Sequence, residues 1–390
     1  MTSSTLAMPV GTYQSAWVDD QVRMFRNSVR QFVQKEFVPH QDRWREQRYP
    51  DAEAWTAAGA AGILLPDVPE EYGGGGGTFA HQAVVLEELA RTGVHFGALI
   101  QSVVAHYILA YASDAQKHDW LPRMVSGELV GAIAMTEPAA GSDLPAIRTT
   151  ARCDGDHYIV SGSKTFITNG HHASLICLAV KTNAKVAGMR GISLLIVETQ
   201  NLPGYRVGRS LDKVGMHAQD TCELFFDDVR VPAANLLGHA EGQGFFQMME
   251  RMPYERLAVG VTAVATAEQA VALTTQYVKE RAVSGKPLID FQNTRFTLAE
   301  CKTAAHIGRV FLDNCIERFI AGQLDDTTVA MAKYWLTDCQ CRIVDECVQL
   351  HGGYGYMTEY PIARMWADSR VQRIYAGANE IMKELIACSL

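Results

Sequence analysis

The sequence predicts an α+β protein built in series: an N-terminal helical domain, a central β domain and a C-terminal helical bundle. Three observations carry this. Apolar residues recur at helical spacing over residues 17–128. Between residues 129 and 236, β-branched and aromatic runs are broken by Gly, Asn and Asp. From residue 237 to residue 390 the helical spacing returns. Runs of one element type followed by runs of the other argue against a doubly wound fold, in which strands and helices alternate. A chain of 390 residues fits two or three domains and buries a large core without staples.

Each element has a local reason. Residues 1–16 lack a pattern and are expected to form a flexible tail. Val22, Phe25, Val29, Phe32, Val33 and Phe37 make one apolar helical face that stops at Pro39. Helical spacing follows over Ala52–Ala61, Ala80–Arg91, Gly97–Tyr111 and Asp114–Met124. The run Gly73–Gly77 lies between two helical patterns and is a loop that follows no strand. Strands are expected at His157–Ser161, Ser174–Val180, Ile192–Glu198 and Cys222–Val231, with Asp154-Gly155-Asp156 as a hairpin turn. Long helices are expected over Phe245–Val283, Phe291–Ala321 and Thr327–Leu350, and a short one over Asn379–Ile386.

Composition narrows the function. With 35 basic and 43 acidic residues the net charge is −8, which disfavours a general grip on nucleic acid or an anionic membrane. The stretch Thr92–Ser113 holds no charge besides two histidines. Gln101, Ser102 and His106 interrupt it, so a buried helix is expected and not a membrane span. Nine cysteines without a secretory or transit pattern point to reduced thiols and a cytoplasmic protein. Cys339, Cys341 and Cys347 lack the paired C-x2-C knuckles of a zinc site, and no metal is expected. Gly285-Lys286 is followed by Pro287, where a phosphate loop needs Ser or Thr. No strand-to-helix G-x-G-x-x-G, no G-x-S-x-G and no H-E-x-x-H occurs.

Four segments are not explained by packing: Ala134–Asp143, Lys164–Gly170, Gln349–Gly355 and Arg370–Glu380. In this order, with Pro69–Gly74, Asp212–Met216 and Asn379–Ala387, they resemble the acyl-CoA dehydrogenase flavoprotein family along nearly the whole chain. The C-terminal run is similar to the long-chain branch. The resemblance implies a central β-barrel, a C-terminal four-helix bundle, one FAD per subunit and a homotetramer arranged as a dimer of dimers. It implies α,β-dehydrogenation of a medium, long or branched acyl-CoA thioester to the trans-2-enoyl-CoA. Electrons would pass to an electron-transferring flavoprotein.

That reaction needs a base for the α-proton, and a carboxylate in an apolar pocket suits it because burial raises its pKa. Many family members carry the base as a glutamate directly after the tyrosine of the fourth segment. Here Ala376 follows Tyr375 and takes no proton. A branch with long-chain and isovaleryl-type enzymes puts the glutamate on an earlier helix, and Pro253-Tyr254-Glu255-Arg256-Leu257 matches it. The resemblance therefore implies Glu255 as the base. On its residues alone, Glu255-Arg256 reads first as a surface ion pair on a helix.

The remaining site follows by resemblance. The Ala376 N–H is implied as a donor to the thioester carbonyl, and Gly377 lets the backbone approach the ligand. Met135 and Thr136 are implied at the pyrimidine side of the flavin, Phe166 on its ring, and Thr168 at its reactive edge. Ser142 is shared by cofactor and acyl-CoA, and Ala378 and Glu380 lie on the cofactor side. Arg281, Gln292, Gln349, Gly352 and Gly353 are implied to hold the adenine-diphosphate half from a neighbouring subunit. Phe245, Phe246, Met249 and Met252 read equally as acyl pocket or as ordinary core, and Pro253 is expected on the substrate side. Helical spacing puts Met249 and Met252 on the face of Glu255. Arg256 is expected at the CoA end. Ser284, His217, Gln219 and Ala378 depart from the family pattern. Two alternatives stay open: a low-activity FAD- and CoA-binding subunit of a hetero-oligomer, and an oxygen-using flavoprotein on the same scaffold.

Overall fold

The computed structural model describes residues 13–183, 186, 188–238 and 240–390. Most of the expected tail, residues 1–12, lies outside the described residues. Its end is tied down: the Tyr13 ring meets His306 edge-on at 5.5 Å, and the Trp17 Nε1–H donates to Asp313 Oδ1 at 2.8 Å.

Helix α1 (Asp20–Phe32) starts at Asp19, whose carboxylate accepts the Val22 N–H, and runs through a widened turn at Val33–Phe37 to Pro39. Short helices α2 (Gln41–Gln47) and α3 (Ala52–Ala60) follow. Helix α4 (Phe79–Thr92) opens on a capping box made by Thr78 and His81. Helix α5 (Ala98–Tyr111) is the apolar stretch, and it packs on α6 (Asp114–Val125), on the first strand of the sheet and on the first long helix of the C-terminal domain.

The central domain is one curled seven-stranded sheet: β1 (Gly131–Ala134), β2 (Thr150–Asp154), β3 (His157–Thr168), β4 (Leu175–Lys181), β5 (Ile192–Glu198), β6 (Tyr205–Ser210) and β7 (Thr221–Pro232). The strand order is β1-β4-β2-β3-β7-β6, with β5 also paired to β4. Strands β4 and β5 are unbroken apolar runs because both their faces are buried. Ile176, Leu178 and Val180 face the sheet's own core, whereas Leu175, Cys177 and Ala179 join the helical core. Strands β1, β2 and β6 escape the pattern reading. β2 is largely exposed, and β6 is half-exposed with two arginines among six residues.

The C-terminal domain comprises α7 (Gly244–Glu280), a hairpin of β8 (Ala282–Val283) and β9 (Lys286–Pro287), α8 (Gln292–Ile320), α9 (Asp326–His351), α10 (Pro361–Ser369) and α11 (Asn379–Ala387). Helix α7 packs on α8 and α9, and α9 on α11, which makes the four-helix bundle. The helix expected to run through Val283 ends at Glu280. The cause is the turn at Ser284 and Gly285, whose φ values of 50° and 81° are left-handed and close a two-residue hairpin.

A charged cluster joins the two helical domains. Arg309 on α8 is 8% exposed and pairs with Glu87 of α4 at 2.6 Å and Glu268 of α7 at 2.8 Å. Arg91 reaches the same Glu268 at 2.5 Å. Removing one member of such a buried cluster strands the others, so Arg309→Met is expected to cost about 3–5 kcal/mol. A urea midpoint equal to that of the parent protein contradicts this.

Candidate active site

Helix α7 crosses the molecule beside α5 and carries Glu255 at their junction. Glu255 faces a cavity of about 310 Å³ between α5, α7 and the start of α4. Glu255 is half-buried and lines that cavity. Its one side-chain hydrogen bond is long, 3.5 Å from the Tyr107 hydroxyl. Burial pushes its pKa up to about 7, against the opposing pull of Arg256 and Tyr107. The cavity is mixed: Val103, Phe79 and Phe319 line it together with Asp67, His106, Glu250 and Arg251.

The segment expected to hold the thioester lies behind Arg256. Ala376 has φ 52° and Gly377 φ 90°, so two successive residues are left-handed. For Ala376 that costs about 1–2 kcal/mol, and the surroundings enforce it. The Arg256 guanidinium lies at the Ala376 carbonyl (Nε to O 3.4 Å), and the Lys333 ammonium donates to the Gly377 carbonyl at 2.6 Å. Lys333 also donates to Asn379 Oδ1 at 2.9 Å, and Asn379 donates back to the Tyr334 carbonyl and Asp338 of α9. Two cations thus hold adjacent carbonyls. Burial pulls the Lys333 pKa down to about 7, with Arg256 adding to the effect. Lys333 belongs to no motif. Its signal in the sequence is a lysine within the apolar stripe Val329, Ala330, Ala332, Leu336.

The residues expected around the flavin ring gather on the sheet. Lys164 of β3 is fully buried and donates to the Met135 carbonyl at 2.9 Å and to Glu137 at 2.8 Å. Glu137 in turn accepts the N–H groups of Arg148 and Thr149. This clamp fixes the Met135–Thr136 strand end, and the Thr165 N–H donates to the Thr136 carbonyl at 3.0 Å. Phe166 sits in a bulge of β3 with φ 60°, and its ring is 66% exposed. An apolar ring held outward on a left-handed residue suits a flat heterocycle such as the isoalloxazine. Thr168 lies two residues on and pairs with Thr221, and Ser142 is exposed in the loop after β1.

A second group lies elsewhere. Arg281 lies over the Tyr354 ring at 5.5 Å, and Tyr277 stacks on His351 at 4.2 Å, which joins the end of α7 to the glycine loop after α9. Arg281, Gln292, Gln349, Gly352 and Gly353 are all exposed. A side chain built at Gly352 or Gly353 would meet open space. Exposed backbone with a cation beside it suits a pyrophosphate. The 26 residues from Glu255 to Arg281 advance the helix by about 39 Å. The chain therefore does not bring these five residues to its own Glu255.

The residues expected on the acyl side separate into different places. Phe246 is 43% exposed, with Arg190 near its ring, and does not line the cavity. Met252 is 8% exposed and belongs to the main core. Glu250, Arg251, Pro253 and Tyr254 line the cavity with Glu255. A wide helix face, not a three-residue stripe through the methionines, meets the cavity. Arg256 is buried against the Ala376 loop. Tyr375 borders that loop, and burial raises its hydroxyl pKa. Glu380 is exposed at the start of α11.

Family models match the chain in the order of its domains: acyl-CoA dehydrogenase N-terminal domain over residues 19–128, middle domain over 132–229 and C-terminal domain over 242–390. The chain belongs to the acyl-CoA dehydrogenase family, and is an FAD-dependent oxidoreductase of acyl-CoA thioesters. Among its relatives, a mitochondrial long-chain specific acyl-CoA dehydrogenase from Sus scrofa is 45% identical over 93% of this chain and 85% of its own. An acyl-CoA dehydrogenase structure from Geobacillus kaustophilus superimposes with a TM-score of 0.94 at 48% identity, covering 96% of this chain and 99% of that one. A glutaryl-CoA dehydrogenase from Mycobacterium smegmatis, solved in complex with FADH2, has a TM-score of 0.89 at 27% identity, with 96% and 95% coverage.

Lys333 supplies the test of the loop geometry. A hydrogen bond to a charged group contributes about 1.5–3 kcal/mol. Lys333→Met is therefore expected to speed amide exchange across Ala376–Ala378 at least about tenfold. Unchanged exchange there contradicts the restraint.

Proposed function

We propose that Glu255 is the base of an acyl-CoA dehydrogenation reaction on long-chain thioesters. The observation that carries this is a carboxyl group with pKa about 7 facing a cavity, next in sequence to Arg256, which holds the loop whose residue 376 is Ala. At pH values above about 7 the ionised Glu255 accepts the α-proton of the thioester. The Ala376 N–H, held by the Arg256 and Lys333 restraints on the following carbonyls, donates to the thioester oxygen where negative charge develops. FAD, when bound, accepts the β-hydrogen as hydride. Met135, Thr136, Phe166, Thr168 and Ser142 hold the ring end, with Ala378 and Glu380 at the cofactor side. The long-chain relative from Sus scrofa supports the substrate class. Electrons pass on to an electron-transferring flavoprotein.

The assembly follows as a homotetramer with FAD across a subunit interface. Two observations support it. The second flavin group lies far from Glu255 of its own chain, and α8 exposes Phe296, Ile307 and Val310. Nine free thiols support a cytoplasmic location.

Glu255→Gln keeps shape and loses basicity. Flavin reduction by acyl-CoA is expected to fall by about two orders of magnitude or more while acyl-CoA still binds. Adding Ala376→Glu restores part of the rate by offering a carboxylate from the loop. Near-normal reduction in Glu255→Gln sinks the assignment.

Arg281→Ala tests the shared site. It is expected to lower FAD retention on gel filtration and to weaken assembly. A stable Arg281→Ala monomer with full flavin contradicts the interface.

A further inference from the structure

We propose that the Tyr107 hydroxyl is the positioning group of Glu255: it holds the carboxylate oxygen Oε1 and leaves Oε2 as the oxygen that takes the α-proton. The inference rests on the reading of Glu255 as the base, and names the group that orients it.

The two oxygens of this carboxylate have different surroundings. Oε1 accepts the Tyr107 O–H at 3.5 Å. Oε2 has no partner among the described residues and is not sealed in protein, so it opens on the cavity that Glu255 lines. Tyr107 itself is fixed: its side chain is fully buried in the main core, where α5 meets β4 and α7. Among the described residues, Glu255 is the one hydrogen-bond partner of its hydroxyl. A phenylalanine fills the same space with no hydroxyl to satisfy, so the acceptor explains the hydroxyl and packing does not. The bond is long, as hydrogen bonds to catalytic groups often are before substrate arrives, and such bonds tighten in the complex. Tightened, it fixes the plane of the carboxylate. The proton that leaves the α-carbon then bonds to Oε2, and its electron pair passes to the thioester.

Tyr107 suits this task because it stays protonated. Burial, with the charge of Glu255 adding to it, pushes the phenol pKa well above its ordinary value. The other groups around the carboxyl are committed elsewhere. On α5, His106 Nε2 lies 3.0 Å from Asp67 Oδ2. On α7, the Tyr254 O–H donates to the same Oδ2 at 2.8 Å, Arg251 donates to Glu250 at 2.6 Å, and Arg256 lies at the Ala376 carbonyl. On β4, the Cys177 thiol is fully buried, which raises its pKa and keeps it uncharged. Tyr107 is left as the side-chain donor that favours the ionised carboxylate, against the burial that disfavours it.

The test reads the pH profile of flavin reduction by palmitoyl-CoA in the FAD-loaded protein without air. Beside it, the infrared carboxyl band of Glu255, assigned by its loss in Glu255→Gln, is titrated directly. Tyr107→Phe removes a donor to the ionised form, so both midpoints are expected to rise by about one unit. The plateau rate falls by about threefold or more, because a carboxylate free to turn no longer aims Oε2, while Kd for palmitoyl-CoA is unchanged. Fluorotyrosine in place of Tyr107, with the fluorine beside the hydroxyl, is a stronger donor of nearly the same shape. It is expected to lower both midpoints, the opposite direction, and it stands as the test if Tyr107→Phe does not fold. Added to Glu255→Gln, Tyr107→Phe is expected to slow the residual reduction no further. Unmoved midpoints in either folded variant overturn the proposal, and so does a further loss of about tenfold in the double variant. Failure of the base reading shows separately, as flavin reduction at the parent rate in Glu255→Gln, while the carboxyl band still reports whether Tyr107 holds Oε1.

Discussion

Burying a carboxyl group among apolar side chains is unfavourable once it ionises, and Glu255 is built into the molecule under that constraint. Its proton is held up to a pKa of about 7, against an ordinary value of 4.5. The folded state therefore binds this proton more tightly than the unfolded chain does. Stability from this group is present below pH 4.5 and is lost as the pH rises through 7. The loss amounts to up to about 3 kcal/mol at 1.36 kcal/mol per unit. The ionised form that accepts a proton is the one the fold favours least, which is what makes it a competent base near neutrality. Helix α7 has to be long and straight enough to bring Glu255 under α5, and the core it shares with α4, α8 and α9 holds it there.

The cations near Glu255 are kept at a distance by a different task. Arg256 and Lys333 are committed to the carbonyls of Ala376 and Gly377, not to the Glu255 carboxylate. A direct ion pair would hold the carboxylate ionised at low pH and weaken it as a base. Using the cations on backbone instead leaves Glu255 with one long hydrogen bond and fixes the left-handed turn that aims the Ala376 N–H. On the sheet side, Lys164 has the same role for the Met135 carbonyl. Each arm of the site is thus positioned by a buried lysine: Lys164 opens one of the segments singled out in the sequence, and Lys333 belongs to none.

Much of this was legible in the sequence, and for physical reasons. The long helices announce themselves by spacing, and β4 and β5 by unbroken apolar runs, because burial on one or both faces dictates those patterns. Glu255 was legible only through the family resemblance, with Ala376 at the position where many members carry the base. Strands β1, β2 and β6 were not, since short or exposed strands carry no period to read. Lys333 showed only as a lysine inside an apolar stripe, because its partners come from tertiary contact. Met252 and Phe246 stayed ambiguous for a related reason: helical spacing fixes which residues share a face, not which face meets the cavity.

The most direct measurement is the pH dependence of flavin reduction by acyl-CoA in the absence of air. With Glu255 as the base, the rate rises about tenfold per pH unit below the carboxyl pKa near 7 and levels off above it. Glu255→Gln removes that rise along with most of the rate. A rate that stays flat from pH 5 to pH 9, with ordinary turnover throughout, means that no group titrating near 7 takes the α-proton, and contradicts the assignment.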